Sequence, residues 1–232
     1  MGEVSSHMVI KNLLKKIYYS NYVKICYYLK IFPNYSIELE NAVGKCKSLL
    51  DVGCGNDSPI KSFSQKMYCV GVDAYGPSIE KSKNFKIHNK YYKIFVLDIG
   101  EKFKPNSFDC VLASDLIEHL TKEEGIKLIE MMEKIAKNKV IIMTPNGFLP
   151  QGIYYNNPWQ VHKSGWTVKE MKKRGYKVIG INGWKPLRGE CARLRFWPKY
   201  FWLRISEITQ FFVRNKPEKA FQILCVKTKG RS

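Results

Sequence analysis

The sequence holds no run of about eighteen apolar residues, so no helix of it is expected to span a membrane. It has no Cys-x-x-Cys pair. Its seven cysteines, Cys26, Cys46, Cys54, Cys69, Cys110, Cys191 and Cys225, are odd in number and scattered. That excludes a zinc ribbon or a disulfide frame and points to a reduced, cytoplasmic setting, with several thiols acting as small hydrophobes in strands. Internal repeats and low-complexity tracts are absent. Acidic residues are scarce: 20 Asp and Glu stand against 39 Lys and Arg, for a formal charge of +19. The excess points to an anionic partner such as nucleic acid, a phosphorylated substrate or an acidic membrane surface. The charge is mostly Lys spread along the chain rather than clustered Arg, and a lysine-rich solvated surface would look the same.

What is present fits one ordinary domain. The 232 residues are 45% apolar, enough to bury a sizeable core. Residues 1–8 lack an apolar signal core and read as an expression-vector scar. Residues 9–45 are expected to form a helical cap. There Ile10, Leu13, Leu14, Ile17 and Tyr18 repeat at helical spacing, with Lys11, Lys15 and Lys16 on the other face, and a second helix covers Tyr22 to Leu29. This pair either packs over the core or rests on anionic lipid, giving a peripheral membrane contact.

Residues 46–232 alternate strand and helix, the pattern of a doubly wound α/β sheet. Strands are expected at Leu49–Val52, Tyr68–Asp73, Lys93–Asp98, Phe108–Ala113, Val140–Thr144, Lys177–Ile181 and Phe221–Val226, and helices at Lys122–Ala136 and Thr167–Arg174. An insert over 183–217 precedes the last strand. It mixes Trp184, Phe196, Trp197, Tyr200, Phe201, Trp202, Phe211 and Phe212 with Lys and Arg. Phe201, Ile205, Ile208 and Phe212 form one helical stripe, which by frequency faces a core. Aromatics among Arg also suit a substrate cleft, base stacking or lipid.

The chemistry centres on Ser48–Ile60. An apolar strand breaks into Gly53-Cys54-Gly55, then Ser58 as an N-cap and Pro59 as the first helical residue. This makes a nucleotide crevice at the carboxyl end of a sheet. A dinucleotide would need the third glycine of Gly-x-Gly-x-x-Gly, and Ser58 stands there. Nor does any tyrosine have a lysine four residues on, as a short-chain dehydrogenase would need. S-adenosylmethionine carries no phosphate. It needs a close turn, an acid after the second strand for the ribose and a polar group after the third for adenine. Asp51-x-Gly53-x-Gly55, Asp73 and Asp98 meet those needs in order.

The segments LLDVGCG, VGVDA, VLDIG, SFDCVLASDLIEHL and VIIMTPNG, between Ser48 and Asn146, closely resemble the class I S-adenosylmethionine-dependent methyltransferases. The resemblance implies a seven-stranded, mostly parallel sheet of order 3-2-1-4-5-7-6 with the last strand antiparallel. It also implies S-adenosyl-L-methionine as cofactor and S-adenosyl-L-homocysteine as product. By resemblance Gly53, Cys54 and Gly55 hold the methionine part, Asp73 and the adjacent Ala74 the ribose, Asp98 and Ile99 the adenine, and Ser114 lies beside the sulfonium. Asp57 stands where the family has its usual third glycine.

Base amino-methyltransferases resemble one another in Asp/Asn-Pro-Pro-Tyr after the fourth strand. Ala113-Ser114-Asp115-Leu116 stands there, and Asn156-Asn157-Pro158-Trp159 follows the fifth strand as a loop. Asp115, Glu118 and His119 share a face if a helical turn forms, and His162 sits in a loop at the same end of the sheet. A hydroxyl acceptor can lose its proton to His119 or His162, with Glu118 alongside. Ubiquinone-pathway O-methyltransferases have a similar acid-x-x-Glu-His. Small-RNA 2′-O-methyltransferases have Glu-x-x-Glu-His with a later His-Lys-x-x-Trp-Thr and use these residues for a metal. By that resemblance Asp115, Glu118, His119 and His162 form a divalent-metal set, the alternative to the expected metal-free arrangement. The expected acceptor is an acidic or amphipathic small molecule, glycan or lipid-linked intermediate. RNA is the alternative acceptor, and a binding protein without turnover a further one. Oligomeric state is left open.

Overall fold

The computed structural model describes residues 35–153 and 157–230. The expected scar, the helices over 9–32, Cys26 and Asn156 lie outside them. Seven strands form one sheet: β1 (Ser48–Val52), β2 (Tyr68–Asp73), β3 (Lys90–Lys93), β4 (Phe108–Ser114), β5 (Ala136–Pro145), β6 (Lys177–Trp184) and β7 (Ala220–Thr228). Their order is β3-β2-β1-β4-β5-β7-β6, as expected. The first five run parallel to one another, and β7 runs antiparallel to both β5 and β6.

Strand residues alternate between two hydrophobic layers because successive side chains point to opposite faces of a sheet. Leu50, Val52, Val111 and Ile142 join Leu128, Ile129 and Met132 of a helix on one side. Leu49, Cys69, Cys110 and Ile141 join Leu39 and Val43 on the other. With both faces covered, the strands read as continuous apolar runs. Cys54, Cys69, Cys110 and Cys225 are buried free thiols. The covering helices are α1 (Tyr35–Val43), α2 (Gly76–Asn84), α3 (Ile99–Lys102), α4 (Lys122–Ile135), α5 (Val168–Lys173) and α6 (Lys199–Val213). Capping boxes Thr121/Glu124 and Thr167/Glu170 start α4 and α5 by pairing orphan N–H groups at each N-terminus.

Three expectations need correction. The third strand ends at Lys93 rather than Asp98, because the Asp98 N–H donates to Phe95 O at 2.9 Å and turns the chain. That turn sends Val96 and Ile99 into the core, so the apolar run marks a buried turn. After Ser58 the chain forms short 3-10 turns, Pro59–Ser62 and Ser64–Lys66, instead of a full helix.

The third concerns α6, whose stripe is not core-facing. Phe201, Ile208 and Phe212 are exposed, while Ser206, Gln210 and Val213 are buried. Gly180 and Gly183 of β6 explain the inversion. A Cβ on Gly183 would lie 2.4 Å from Ser206 Oγ, and one on Gly180 would lie 2.2 Å from Val213 O. Gln210 then closes the contact: its Oε1 accepts from Gly183 N at 3.1 Å and its Nε2 donates to Gly180 O at 2.9 Å. Satisfied amide bonds let a polar face be buried, which leaves the aromatic face outside.

Candidate active site

Two adjoining cavities open at the carboxyl ends of the parallel strands. The first, about 240 Å³, is lined by the glycine turn, Asp73, Ala74, Phe95, Val96, Ser114, Trp159 and Gln160, among others. Gly53 and Gly55 hold φ of 71° and 57°, the left-handed region open to glycine. At Gly53 a Cβ would also strike Leu116 Cδ1 at 2.7 Å, whereas at Gly55 it would enter open space. Asp73 ends β2, and its carboxylate accepts from Gly55 N at 2.9 Å and Tyr75 N at 2.7 Å. Burial raises its pKa, and those N–H groups oppose the rise. A carboxylate keeps lone pairs beyond these two bonds for ribose hydroxyls.

Asp51 lies beneath the turn. Ser58 Oγ donates to its Oδ2 at 2.6 Å, and His88 Nε2 lies 2.9 Å from the same oxygen. Asp51 therefore braces the turn from below. Cys54 is buried, and burial followed by the Asp51 and Asp73 charges pushes its thiol pKa up, so it serves as wall rather than nucleophile. Ile99 is fully buried in the core and Asp98 is exposed, and neither lines the cavity. Phe95 and Val96 stand next to Asp73 and Ala74 instead, with Phe95 packed on Trp159 at 5.5 Å.

The second cavity, about 400 Å³, is lined by Glu118, His119, His162, Asn182, Cys191, Gln222 and others. Ser114, Asp115 and His119 line both cavities, so the two meet at these residues. The His119 and His162 rings meet edge to face, 4.7 Å apart. His162 Nδ1 lies 2.6 Å from Leu149 O, and His119 Nδ1 lies 3.3 Å from Val161 O. A carbonyl only accepts, so the network assigns the hydrogen to Nδ1 and the lone pair to Nε2 in each neutral ring. Burial, then His162, lowers the His119 pKa to about 4, and burial lowers that of His162. Both imidazoles are therefore uncharged near neutrality.

The segment His162–Thr167 is held against the turn that carries His119. Lys163 N and Ser164 N donate to Glu118 O at 2.8 and 3.1 Å. Ser164 Oγ and Trp166 Nε1 donate to Ile117 O at 3.2 and 3.3 Å. Gly165 allows this approach, since a Cβ there would lie 2.3 Å from Phe148 N. Two segments far apart in sequence thus fix one pair of rings.

The expected shared face of Asp115, Glu118 and His119 does not form. Asp115 has φ of 48°, ahead of the 3-10 turn Ile117–His119, and its Oδ1 accepts from Gln222 Nε2. Gln222 Oε1 accepts in turn from Asn182 Nδ2. Glu118 is buried and accepts from Thr144 Oγ1 at 2.8 Å. Burial and then the Asp115 charge push its pKa well up. Enclosure raises Asp115 to about 7, although its carboxylate opens on cavity solvent, which screens part of that effect.

Glu118, His119 and His162 offer one ligand atom each, all within 4.8 Å of one another. One carboxylate and two neutral imidazoles with bare Nε2 are a donor set that fits a divalent ion. Such an ion would hold the acceptor oxygen and require Glu118 to be ionised. Asp115 stands outside the set, bound to Gln222.

His88, Thr144, Asn182 and Gln222 escape sequence reasoning. Gln222 left a trace, as a lone amide in the apolar strand Phe221–Cys225. His88 left none.

A family described as methyltransferase domain matches residues 50–144. An uncharacterized protein of Methanocaldococcus jannaschii is 24% identical over 172 residues, covering 71% of this chain and 72% of that one. A small RNA 2′-O-methyltransferase of Tetrahymena thermophila is 25% identical over 173 residues, covering 60% of this chain but only 41% of its own length. The crystal structure of an S-adenosylmethionine-dependent methyltransferase from Archaeoglobus fulgidus shares the fold at TM-score 0.56 and 16% identity, covering 84% and 92% of the two chains. Residues 50–144 thus match a methyltransferase domain, and the seven-stranded sheet has the class I S-adenosylmethionine-dependent methyltransferase fold. The glycine turn with Asp73 fits S-adenosylmethionine, the methyl donor that this fold serves in the Archaeoglobus protein.

Proposed function

We propose that this methyltransferase acts on a hydroxyl oxygen of a small molecule, a glycan or a lipid-linked intermediate. The observation that carries the reading is His119, a neutral imidazole on the wall common to both cavities and backed by His162. The bound cofactor supplies an activated methyl group on a sulfonium. The acceptor oxygen attacks that carbon in line, the C–S bond breaks as the O–C bond forms, and sulfur keeps the electron pair. As the O–C bond forms, the hydroxyl proton becomes strongly acidic and passes to His119 Nε2, for which even a weakly basic imidazole suffices. His162 and the Glu118 carbonyl contacts fix the ring in place, so alignment supplies most of the acceleration.

The test is transfer of a labelled methyl group to a panel of hydroxyl acceptors. His119→Gln should lower kcat by about 10²–10⁴ with S-adenosylhomocysteine affinity kept. Unchanged turnover would remove the assignment.

A second reading is 2′-O-methylation of RNA with a divalent ion on Glu118, His119 and His162. The compact donor set and the Tetrahymena relative favour it. It requires salt-sensitive binding of an RNA 3′ end, with turnover lost to a chelator and restored by the metal.

A further inference from the structure

We propose that the outer face of α6, with the loop leading into it, docks on an anionic lipid bilayer surface. Four apolar side chains carry the face: Trp197 is 81% exposed, Phe212 69%, Phe201 56% and Ile208 49%. They do not lack a place inside for want of period. The helix buries Gln210 against β6 through two hydrogen bonds, sets Ser206 against Gly183, and turns its apolar stripe outward. A helix oriented in this way has its apolar side available to something other than its own sheet.

Charge selects the occupant. Residues 183–217 contain eight Lys and Arg against two Glu, Glu190 and Glu207. Glu207 is neutralised by Arg204 at 2.7 Å. Arg193, Arg195, Lys199 and Lys216 of the same segment are exposed. Aromatic and aliphatic side chains beside cationic ones match the acyl boundary and headgroups of an anionic leaflet. A second copy fits poorly, since a two-fold contact would set this cationic face against itself. Among the described residues no helix is long and apolar enough to cross a membrane, so the contact is peripheral.

The face adjoins the acceptor cavity. Cys191 and Ala192 line that cavity, and the chain runs from them through Arg193 and Arg195 to Trp197. Docking would set the cavity mouth near the headgroups. The proposal thereby deepens the proposed function, on which it rests for the acceptor alone: the hydroxyl is borne by an amphipathic molecule seated in the membrane.

The experiment uses the full chain and two vesicle types, phosphatidylcholine alone and phosphatidylcholine with phosphatidylglycerol. Sedimentation should carry the protein down with the anionic vesicles and not the neutral ones, with Trp emission shifting to the blue. The triple variant Trp197→Ser, Phe201→Ser, Phe212→Ser should bind S-adenosylhomocysteine as the wild type does, which reports a folded protein. It should lose vesicle affinity by about tenfold or more, given the apolar area withdrawn. Absence of binding to anionic vesicles overturns the proposal. So does equal binding by the triple variant, which would assign the contact to residues outside 183–217. Binding of RNA that the triple variant abolishes, without vesicle binding, would give the face to nucleic acid instead. Because vesicle binding needs no methyl transfer, its failure is distinguishable from failure of the hydroxyl-acceptor reading.

Discussion

His88 Nε2 lies 2.9 Å from Asp51 Oδ2, and both side chains are almost fully buried. Together with Ser58 they lock the underside of the glycine turn. His88 Nδ1 has no hydrogen-bond partner among the described residues, so the ring is held by the Asp51 contact and by Tyr91, whose ring is 5.0 Å away. Removing the ring should leave Asp51 buried with one partner fewer. His88→Ala is expected to lower stability by about 1–3 kcal/mol and to weaken S-adenosylhomocysteine binding. Denaturant melts and calorimetry on the same samples check both effects. Intact affinity would mean that Ser58 alone holds the turn.

Asp73 lines the cofactor cavity and is expected to take the ribose hydroxyls. Asp73→Ala removes the acceptor of Gly55 N and Tyr75 N and, with it, the expected partner of the ribose hydroxyls. Affinity for S-adenosylhomocysteine should fall at least about tenfold, the equivalent of roughly 1.4 kcal/mol. Calorimetry against methylthioadenosine, which keeps the ribose but lacks the amino-acid part, should show the same loss.

Stability should carry the mark of His119. Its folded pKa of about 4 lies below the ordinary 6.5, so between those values the unfolded chain binds the proton more readily. The contribution of the neutral ring is full above pH 6.5 and is lost as pH falls toward 4. Asp115 and Glu118 are raised, and their contributions run the other way, present at low pH and lost as pH rises. Wild type alone would mix the two. The difference in stability between wild type and His119→Gln, measured with a chelator present, should shrink or reverse as pH drops from about 6.5 to 4. A difference independent of pH would contradict the lowered pKa.

Gly165→Ala tests the clamp on His162. A Cβ there meets the backbone of Gly147 and Phe148, which has little room to yield. The segment should shift and take His162 from His119. The expected outcome is a fall in kcat of about tenfold or more with cofactor affinity nearly unchanged, because small displacements of aligned groups are costly. Trp166→Ala is the harsher form, with about 3–5 kcal/mol of stability lost from a fully buried indole.

The strands and the glycine turn were legible because they rest on local patterns, whereas the sheet order followed from the resemblance to class I methyltransferases. Short, mostly apolar runs report strands covered on both faces, as in Val140–Met143, whose four side chains are all buried. The end of β3 was not legible, since Val96 and Ile99 are as apolar in a buried turn as in a strand. Nor was the orientation of α6. The stripe Phe201, Ile205, Ile208, Phe212 gives a period but no direction. Direction came from Gly180 and Gly183 on a neighbouring strand, where missing side chains admit Ser206 and Gln210. The union of His119 with His162 was half legible: the residues could be named, but only the long-range bonds from 163–166 to 117–118 set their distance.

One loop supplies Asn157 and Trp159 to the cofactor cavity, His162 to the other and Gln160 to both. Occupancy on either side of it therefore constrains the room left on the other. The affinities of the two substrates are linked, and the factor by which the cofactor product alters acceptor binding must equal the factor by which the acceptor alters product binding. Substitutions at Trp159 would register in the acceptor's dissociation constant although the side chain belongs to the opposite chamber.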